Sequence, residues 1–127
     1  MRIFDIFKMS KHYHREGGPA FIEYDEYGAI HIEGYYENNK INREGGPAWI
    51  IYYNNGSVKN EQYYLNGKLH RDGNPAWIEY HQNGGTRYEG YYIMGLKHRK
   101  GGPAHIFYNE SGTLIADEYW ANGEKIK

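Results

Sequence analysis

The chain repeats one phrase four times at constant spacing. The heptad His14-Arg15-Glu16-Gly17-Gly18-Pro19-Ala20 returns as Asn42-Arg43-Glu44-Gly45-Gly46-Pro47-Ala48, as His70-Arg71-Asp72-Gly73-Asn74-Pro75-Ala76, and as His98-Arg99-Lys100-Gly101-Gly102-Pro103-Ala104. Subtracting the arginine positions (43−15, 71−43, 99−71) gives 28 each time, with no insertion or deletion. A fixed period of this size marks a stacked architecture, in which each unit covers its apolar face with its neighbours. The 127 residues therefore read as one repeat domain. A half-repeat over 1–13 precedes repeats over 14–41, 42–69, 70–97 and 98–125, and 126–127 form a tail.

Each unit opens on Pro-Ala-x-Ile-x-Tyr, from Pro19, Pro47, Pro75 and Pro103. Ala, Ile and Tyr hold alternate positions while the residues between them change, which is the period of two expected of a strand. A turn rich in Asp, Asn, Gln and Ser follows and closes on Gly28, Gly56, Gly84 or Gly112. A second strand then runs through an acid (Glu33, Glu61, Glu89, Asp117) and two aromatic residues (Tyr35-Tyr36, Tyr63-Tyr64, Tyr91-Tyr92, Tyr119-Trp120). Two such runs joined by a short glycine turn predict a hairpin. The pairs Asn38-Asn39, Asn66-Gly67, Met94-Gly95 and Asn122-Gly123 then mark a tight turn, most of them suited to positive φ. Shifting residues 1–13 by one period places Asp5 on Glu33 and Phe7 on Tyr35, so they form an orphan second strand. The expected fold is all-β, an elongated single-layer array of antiparallel hairpins with nine strands, about 40 Å long at ~4.8 Å per strand and open at both edges. Helix is excluded by the frequency of Gly and Pro.

Composition narrows the function. The apolar supply is mainly aromatic, with 15 Tyr, 4 Phe and 3 Trp, which suits a thin, half-wet layer better than a thick aliphatic core. Lys and Arg number 15 against 16 Asp and Glu, interspersed in every unit, which argues against nucleic acid as a partner. The chain has no cysteine, so disulfides and thiolate zinc sites are excluded and an intracellular location fits best. No run approaches the ~18 apolar residues of a membrane helix, and no secretory signal is visible.

The segment Tyr88-Glu89-Gly90-Tyr91-Tyr92-Ile93-Met94-Gly95-Leu96-Lys97-His98 resembles a MORN repeat, with partial copies at Ile32 to Tyr36 and Tyr63 to His70. The resemblance covers nearly the whole chain. It implies a row of β-hairpins with roles in self-association, protein scaffolding and, in some members, binding of acidic phospholipids. Here Arg and a further residue precede Gly-Gly-Pro where the family places Gly straight after His, and the repeat is longer. In this the chain is similar to variant MORN repeats of large DNA viruses, where host cytoplasm or virion would be its location, and more distantly to bacterial antitoxins.

The columns Arg15, Arg43, Arg71, Arg99 and Glu33, Glu61, Glu89, Asp117 are the recurring opposite charges. A phosphate ladder is one reading of the arginines; the favoured one is a structural clamp on a carboxylate or on loop carbonyls, which a planar guanidinium suits. His14, His70 and His98 share a column with Asn42, but equivalent atoms in stacked hairpins lie ~10 Å apart, too far to share a metal. His12 and His14 offer two ligands with no evident third. Ser10, Ser57 and Ser111 occupy no common constellation, and Gly-Gly-Pro precedes no helix start or Lys-Ser/Thr, so neither nucleophilic catalysis nor a phosphate loop is expected. The reading is of a chain with no catalytic, cofactor or metal site. Phe21, Trp49, Trp77 and His105 form one aromatic stripe, and Tyr36, Tyr64, Tyr92 and Trp120 another. One is expected to build the covered face and the other a groove, leaving aromatic surface for a partner. The leading function is a non-enzymatic interaction scaffold that forms a homodimer through its open ends. The alternatives are a peripheral binder of acidic phospholipids, using the arginines with Lys40, Lys68 and Lys97, and an antitoxin-like inhibitory partner.

Overall fold

The computed structural model describes residues 3–9 and 12–127, so Ser10 and the first two residues of the half-repeat lie outside the described region. One antiparallel sheet of nine strands runs through the chain in sequence order: Ile3–Ile6, Phe21–Tyr24, Ile30–Gly34, Trp49–Tyr52, Val58–Gln62, Trp77–Tyr80, Thr86–Gly90, His105–Tyr108 and Leu114–Glu118. The sheet does not close; Ile3–Ile6 and Leu114–Glu118 are its edges. Within each repeat the hairpin turn closes on an equivalent glycine, while the side-chain acceptor shifts by two positions between repeats. Gly28, Gly56, Gly84 and Gly112 adopt φ of 85°, 88°, 90° and 87°, a region that only glycine enters without a Cβ penalty. The Oδ1 atoms of Asp25, Asn55, Asn83 and Asn109 accept backbone N–H groups inside the turns.

Period two divides the side chains into a uniform and a variable face. On the uniform face one row reads Asp5, Ile22, Glu33, Ile50, Glu61, Ile78, Glu89, Ile106, Asp117, each residue opposite the next. The four isoleucines are buried, and Ala20, Ala48, Ala76 and Ala104, two residues before each, are wholly covered. Burying an isoleucine contributes roughly 2 kcal/mol, so this alternation of Ile and acid is the repeated core of a fold without a second layer.

The second strand stops before the aromatic pair, two residues short of the predicted end. The first aromatic residue turns its N–H to the next repeat (Tyr35 to Ala48 O, Tyr63 to Ala76 O, Tyr91 to Ala104 O, all 2.7 Å). The second opens a separate two-residue ribbon: Tyr36–Glu37 with Lys40–Ile41, Tyr64–Leu65 with Lys68–Leu69, Tyr92–Ile93 with Leu96–Lys97, and Trp120–Ala121 with Glu124–Lys125. The half-repeat carries the same ribbon, Lys8–Met9 with His12–Tyr13. In the four complete ribbons both turn residues have positive φ, from Asn38 at 50° and Asn39 at 66° to Asn122 at 51° and Gly123 at 84°. This matches the twist of a two-residue hairpin loop. Met94, at φ 47°, accepts the same conformation without the usual chemistry for it.

Candidate interaction surface

The recurring charged columns meet aromatic and backbone partners rather than each other. Each arginine donates from Nη1 to the proline carbonyl of its own loop: Arg15 to Pro19, Arg43 to Pro47, Arg71 to Pro75 and Arg99 to Pro103, at 3.1 to 3.2 Å. Its guanidinium carbon lies over the ring of the preceding unit, Phe7, Tyr35, Tyr63 or Tyr91, at 3.8 to 4.1 Å. Cation–π attraction of ~0.5 to 1 kcal/mol is typical of such partly exposed sites. Of the two partners the sequence left open for arginine, the loop carbonyl is the one it meets. Lys127, one further period on (99+28), lies over Tyr119 at 4.7 Å in the same way. A Cβ built at Gly46 or Gly102 would stand 3.0 Å from the arginine Cζ, yet Asn74 occupies that position beside Arg71, which keeps the same proline bond and ring contact.

The acids accept from tyrosine hydroxyls of the next repeat. Tyr24 donates to Asp5 at 2.6 Å, Tyr52 to Glu33 and Tyr80 to Glu61 at 2.5 Å, and Tyr108 to Glu89 at 3.3 Å. Burial first, then the accepting carboxylate, holds the phenols of Tyr52 and Tyr80 well above the ordinary tyrosine value. Asp117 has no such tyrosine opposite it among the described residues.

The His/Asn column ties the start of each repeat to the ribbon turn at its end. Nδ1 of His14, His70 and His98 accepts the N–H of Asn38, Met94 and Asn122 at 3.0 to 3.2 Å, and Oδ1 of Asn42 accepts that of Asn66 at 2.9 Å. Imidazole Nδ1 and amide Oδ1 sit at the same remove from the backbone, which is why Asn42 replaces a histidine without changing the joint. Among the described residues no group of three His, Asp or Glu side chains is placed to hold a metal ion.

The variable face carries the aromatic residues, and here the structure corrects the expected division into a covered stripe and a groove. One row reads Ile6, Phe21, Gly34, Trp49, Gln62, Trp77, Gly90, His105, Glu118. The first stripe thus alternates with Gly34, Gln62, Gly90 and Glu118, and the second stripe, two residues beyond each of these, leans over them from the same side. Tyr64 donates to Gln62 at 2.6 Å and Trp120 Nε1 to Glu118 at 3.1 Å. A Cβ at Gly34 would stand 2.8 Å from Trp49 Cζ3 and 3.2 Å from Tyr36 Cε1, and one at Gly90 would stand 2.9 Å from Tyr92 Cε2. Glycine there is the vacancy that two rings fill. Both stripes share one face because 34 and 36 have the same parity, and seven of the eight side chains are half-buried by one another.

His105 is the exception, being buried. Its ring lies 5.7 Å from that of Tyr92 and 6.0 Å from that of Trp120. Burial, helped by Lys97 and opposed by Glu118, pushes its pKa below the ordinary imidazole value. Between the stripes Asn60 and Gln62 are buried in a polar chain from the Tyr64 hydroxyl to the Ile78 carbonyl. Beside it opens a cleft of about 450 Å³ lined by Trp77, Glu79, Arg87, Tyr88, Tyr92 and Phe107. The face therefore offers rings and hydrogen-bonding groups in a row.

A scan against protein-family models, a search of curated proteins and a search of solved structures returned no match. The arrangement of the chain's own side chains is what bears on its function.

The two edges are the other candidate surface. Ile3, Phe4 and Ile6 on one, and Leu114 and Ile115 on the other, are all exposed apolar side chains, Ile115 to 62%. Each edge strand has a neighbour on one side only.

Proposed function

We propose that this chain is a non-enzymatic repeat scaffold of the MORN kind, which self-associates as a homodimer through its open sheet edges and presents its aromatic face to a protein partner. The observation that carries the reading is the pair of unpaired edge strands bearing exposed apolar residues. An edge of this kind has unsatisfied N–H and C=O groups and apolar surface together, and pairing with another strand satisfies both. The engagement of the recurrent side chains supports a structural role for them. Arginines, acids and His/Asn residues each bind a neighbouring ring, hydroxyl or backbone group, which leaves the variable face and the edges to meet other molecules. The arginines' commitment to proline carbonyls and rings also counts against their use as a headgroup ladder.

Sedimentation velocity and light scattering over a wide concentration range test the proposal. A dimer mass is the expected result, and a monomer at every concentration refutes self-association.

A further inference from the structure

We propose that the cleft between the third and fourth Arg-x-Gly loops binds the carboxylate of an Asp or Glu side chain from an acidic segment of a partner protein. This site stands apart from the sheet edges and from the aromatic face.

Successive loops wall a cleft at each junction between repeats. The first is lined by Arg15 and Arg43 with Glu16, Glu37 and Glu44, and the second by Arg43 and Arg71 with Glu44 and Asp72. Both carry their own carboxylates beside two arginines. The third, of about 330 Å³, has Arg71, Tyr91, Ile93, His98, Arg99 and Lys100 in its lining and no acid. The letter that changes is the one after each arginine: Glu16, Glu44 and Asp72 in the first three loops, Lys100 in the fourth. A single replacement thus leaves a cleft with cationic side chains and no counter-charge in its lining.

The other repeats show what belongs beside this histidine. Nδ1 of His14, His70 and His98 accepts a backbone N–H, so the proton of each ring is on Nε2. In the first and third repeats that Nε2 faces the acid two residues on, Glu16 Oε1 at 3.7 Å and Asp72 Oδ1 at 3.4 Å. A carboxylate is therefore the group that the chain itself sets there. His98 lacks it, because the residue two places on is Lys100. Among the described residues neither Nε2 of His98 nor the Lys100 ammonium has a hydrogen-bond or ion-pair partner.

The flanking arginines have donors to spare. Arg71 and Arg99 each give Nη1 to one proline carbonyl and lie over one ring. Their other N–H groups have no partner among the described residues. A carboxylate accepting from such groups makes charge-assisted bonds, stronger than neutral ones. Ile93 and Tyr91 offer apolar surface to the short stem of an Asp or Glu side chain. A membrane surface fits less well. Anionic headgroups arrive as a plane of charge, and the loops beside the cleft hold Glu16 and Asp72 with side chains 89% and 91% exposed.

Nuclear magnetic resonance of the full chain, titrated with the blocked peptide acetyl-Gly-Gly-Glu-Gly-Gly-amide, tests the site. The expected result is movement of the Arg71 and Arg99 Nε–H signals and of the Lys100 and Gly101 amides, with none when Gln replaces Glu in the peptide. Lys100→Glu gives the fourth loop the residue of the first two, so it should keep the circular dichroism of the parent while weakening binding by at least about tenfold. Lys59→Glu makes the same change of charge at an exposed site of the second repeat and should leave binding within about twofold. The proposal is overturned by the absence of any shift, by equal shifts with the Gln peptide, by shifts spread evenly over the three clefts, or by binding that Lys100→Glu leaves intact. Sedimentation with phosphatidylserine vesicles that Lys100→Glu abolishes, without a response to the Glu peptide, overturns it in favour of a headgroup site.

Discussion

Replacing Tyr80 by phenylalanine removes one hydroxyl and leaves the ring in place, so it isolates the bond between a repeat and the acid of its predecessor. Tyr80 reaches Glu61 at 2.5 Å and Tyr52 reaches Glu33 at 2.5 Å, both half-buried, whereas Tyr108 lies 3.3 Å from Glu89. A hydrogen bond to an ionised acceptor contributes ~1.5 to 3 kcal/mol net, and partial exposure places these two near the lower limit. At 3.3 Å an O–H···O contact is beyond its ordinary range and contributes at most about 0.5 kcal/mol. Tyr80→Phe and Tyr52→Phe should therefore each cost about 1.5 kcal/mol, and Tyr108→Phe about a third of that. For a domain of this size 1 kcal/mol moves Tm by roughly 3 to 6 °C, so the first two substitutions should lower it by about 5 to 9 °C. Urea unfolding followed by tryptophan fluorescence measures the costs, with the slope expected to stay constant. A cycle with Glu61→Gln should return a coupling of about 1 kcal/mol. The reasoning is refuted if Tyr108→Phe costs as much as Tyr80→Phe, or if Tyr80→Phe costs less than about 0.5 kcal/mol.

Three further outcomes follow from the joints and from the variable face. His70→Asn should change stability by less than about 0.5 kcal/mol, because Asn42 already plays that part, while His70→Leu should cost about 1 kcal/mol by leaving the Met94 N–H to water; urea midpoints distinguish them. Gly34→Ala should cost about 1 to 3 kcal/mol and change the near-ultraviolet circular dichroism, because the new methyl has to displace the Trp49 and Tyr36 rings. His105 is held neutral by burial, so the unfolded chain binds the proton more readily. Stability from this residue is complete above its unfolded pKa of ~6.5 and is lost as pH falls through the lower folded value. His105→Phe should flatten that fall in urea midpoints measured on either side of pH 6.5, whereas an unchanged slope would mean that His105 does not titrate on unfolding.

Hairpins, strand number and open edges were legible because they depend on period two, on glycine turns and on the arithmetic of 28. The partner of each acid was not. Two opposite charged columns invite a salt bridge, yet the tyrosine ending each first strand stands two residues from the isoleucine that faces the acid. That spacing put a phenol within reach, and only the register between repeats reveals it. The same register would have placed Tyr36, Tyr64, Tyr92 and Trp120 on the face of Phe21, Trp49, Trp77 and His105. The ribbons were hidden for another reason: Tyr35 and Tyr36 look alike in sequence, but the N–H of the first is already committed to Ala48, so the sheet ends there. For the histidine column, the exchange with Asn42 was the available signal of a shared acceptor.

Among the described residues no side-chain hydrogen bond spans more than 27 positions; the longest join Tyr53 to Tyr80, His81 to Tyr108 and Asn83 to Glu110. That reach falls just short of one period, so each repeat speaks only to the next. Excising residues 42–69 would splice one repeat onto another that offers the same acceptors, rings and carbonyls at the seam. Length is thus a quantity that can change by whole cassettes without redesign, and the chain can be folded from a growing front whose local rules are the same at every step.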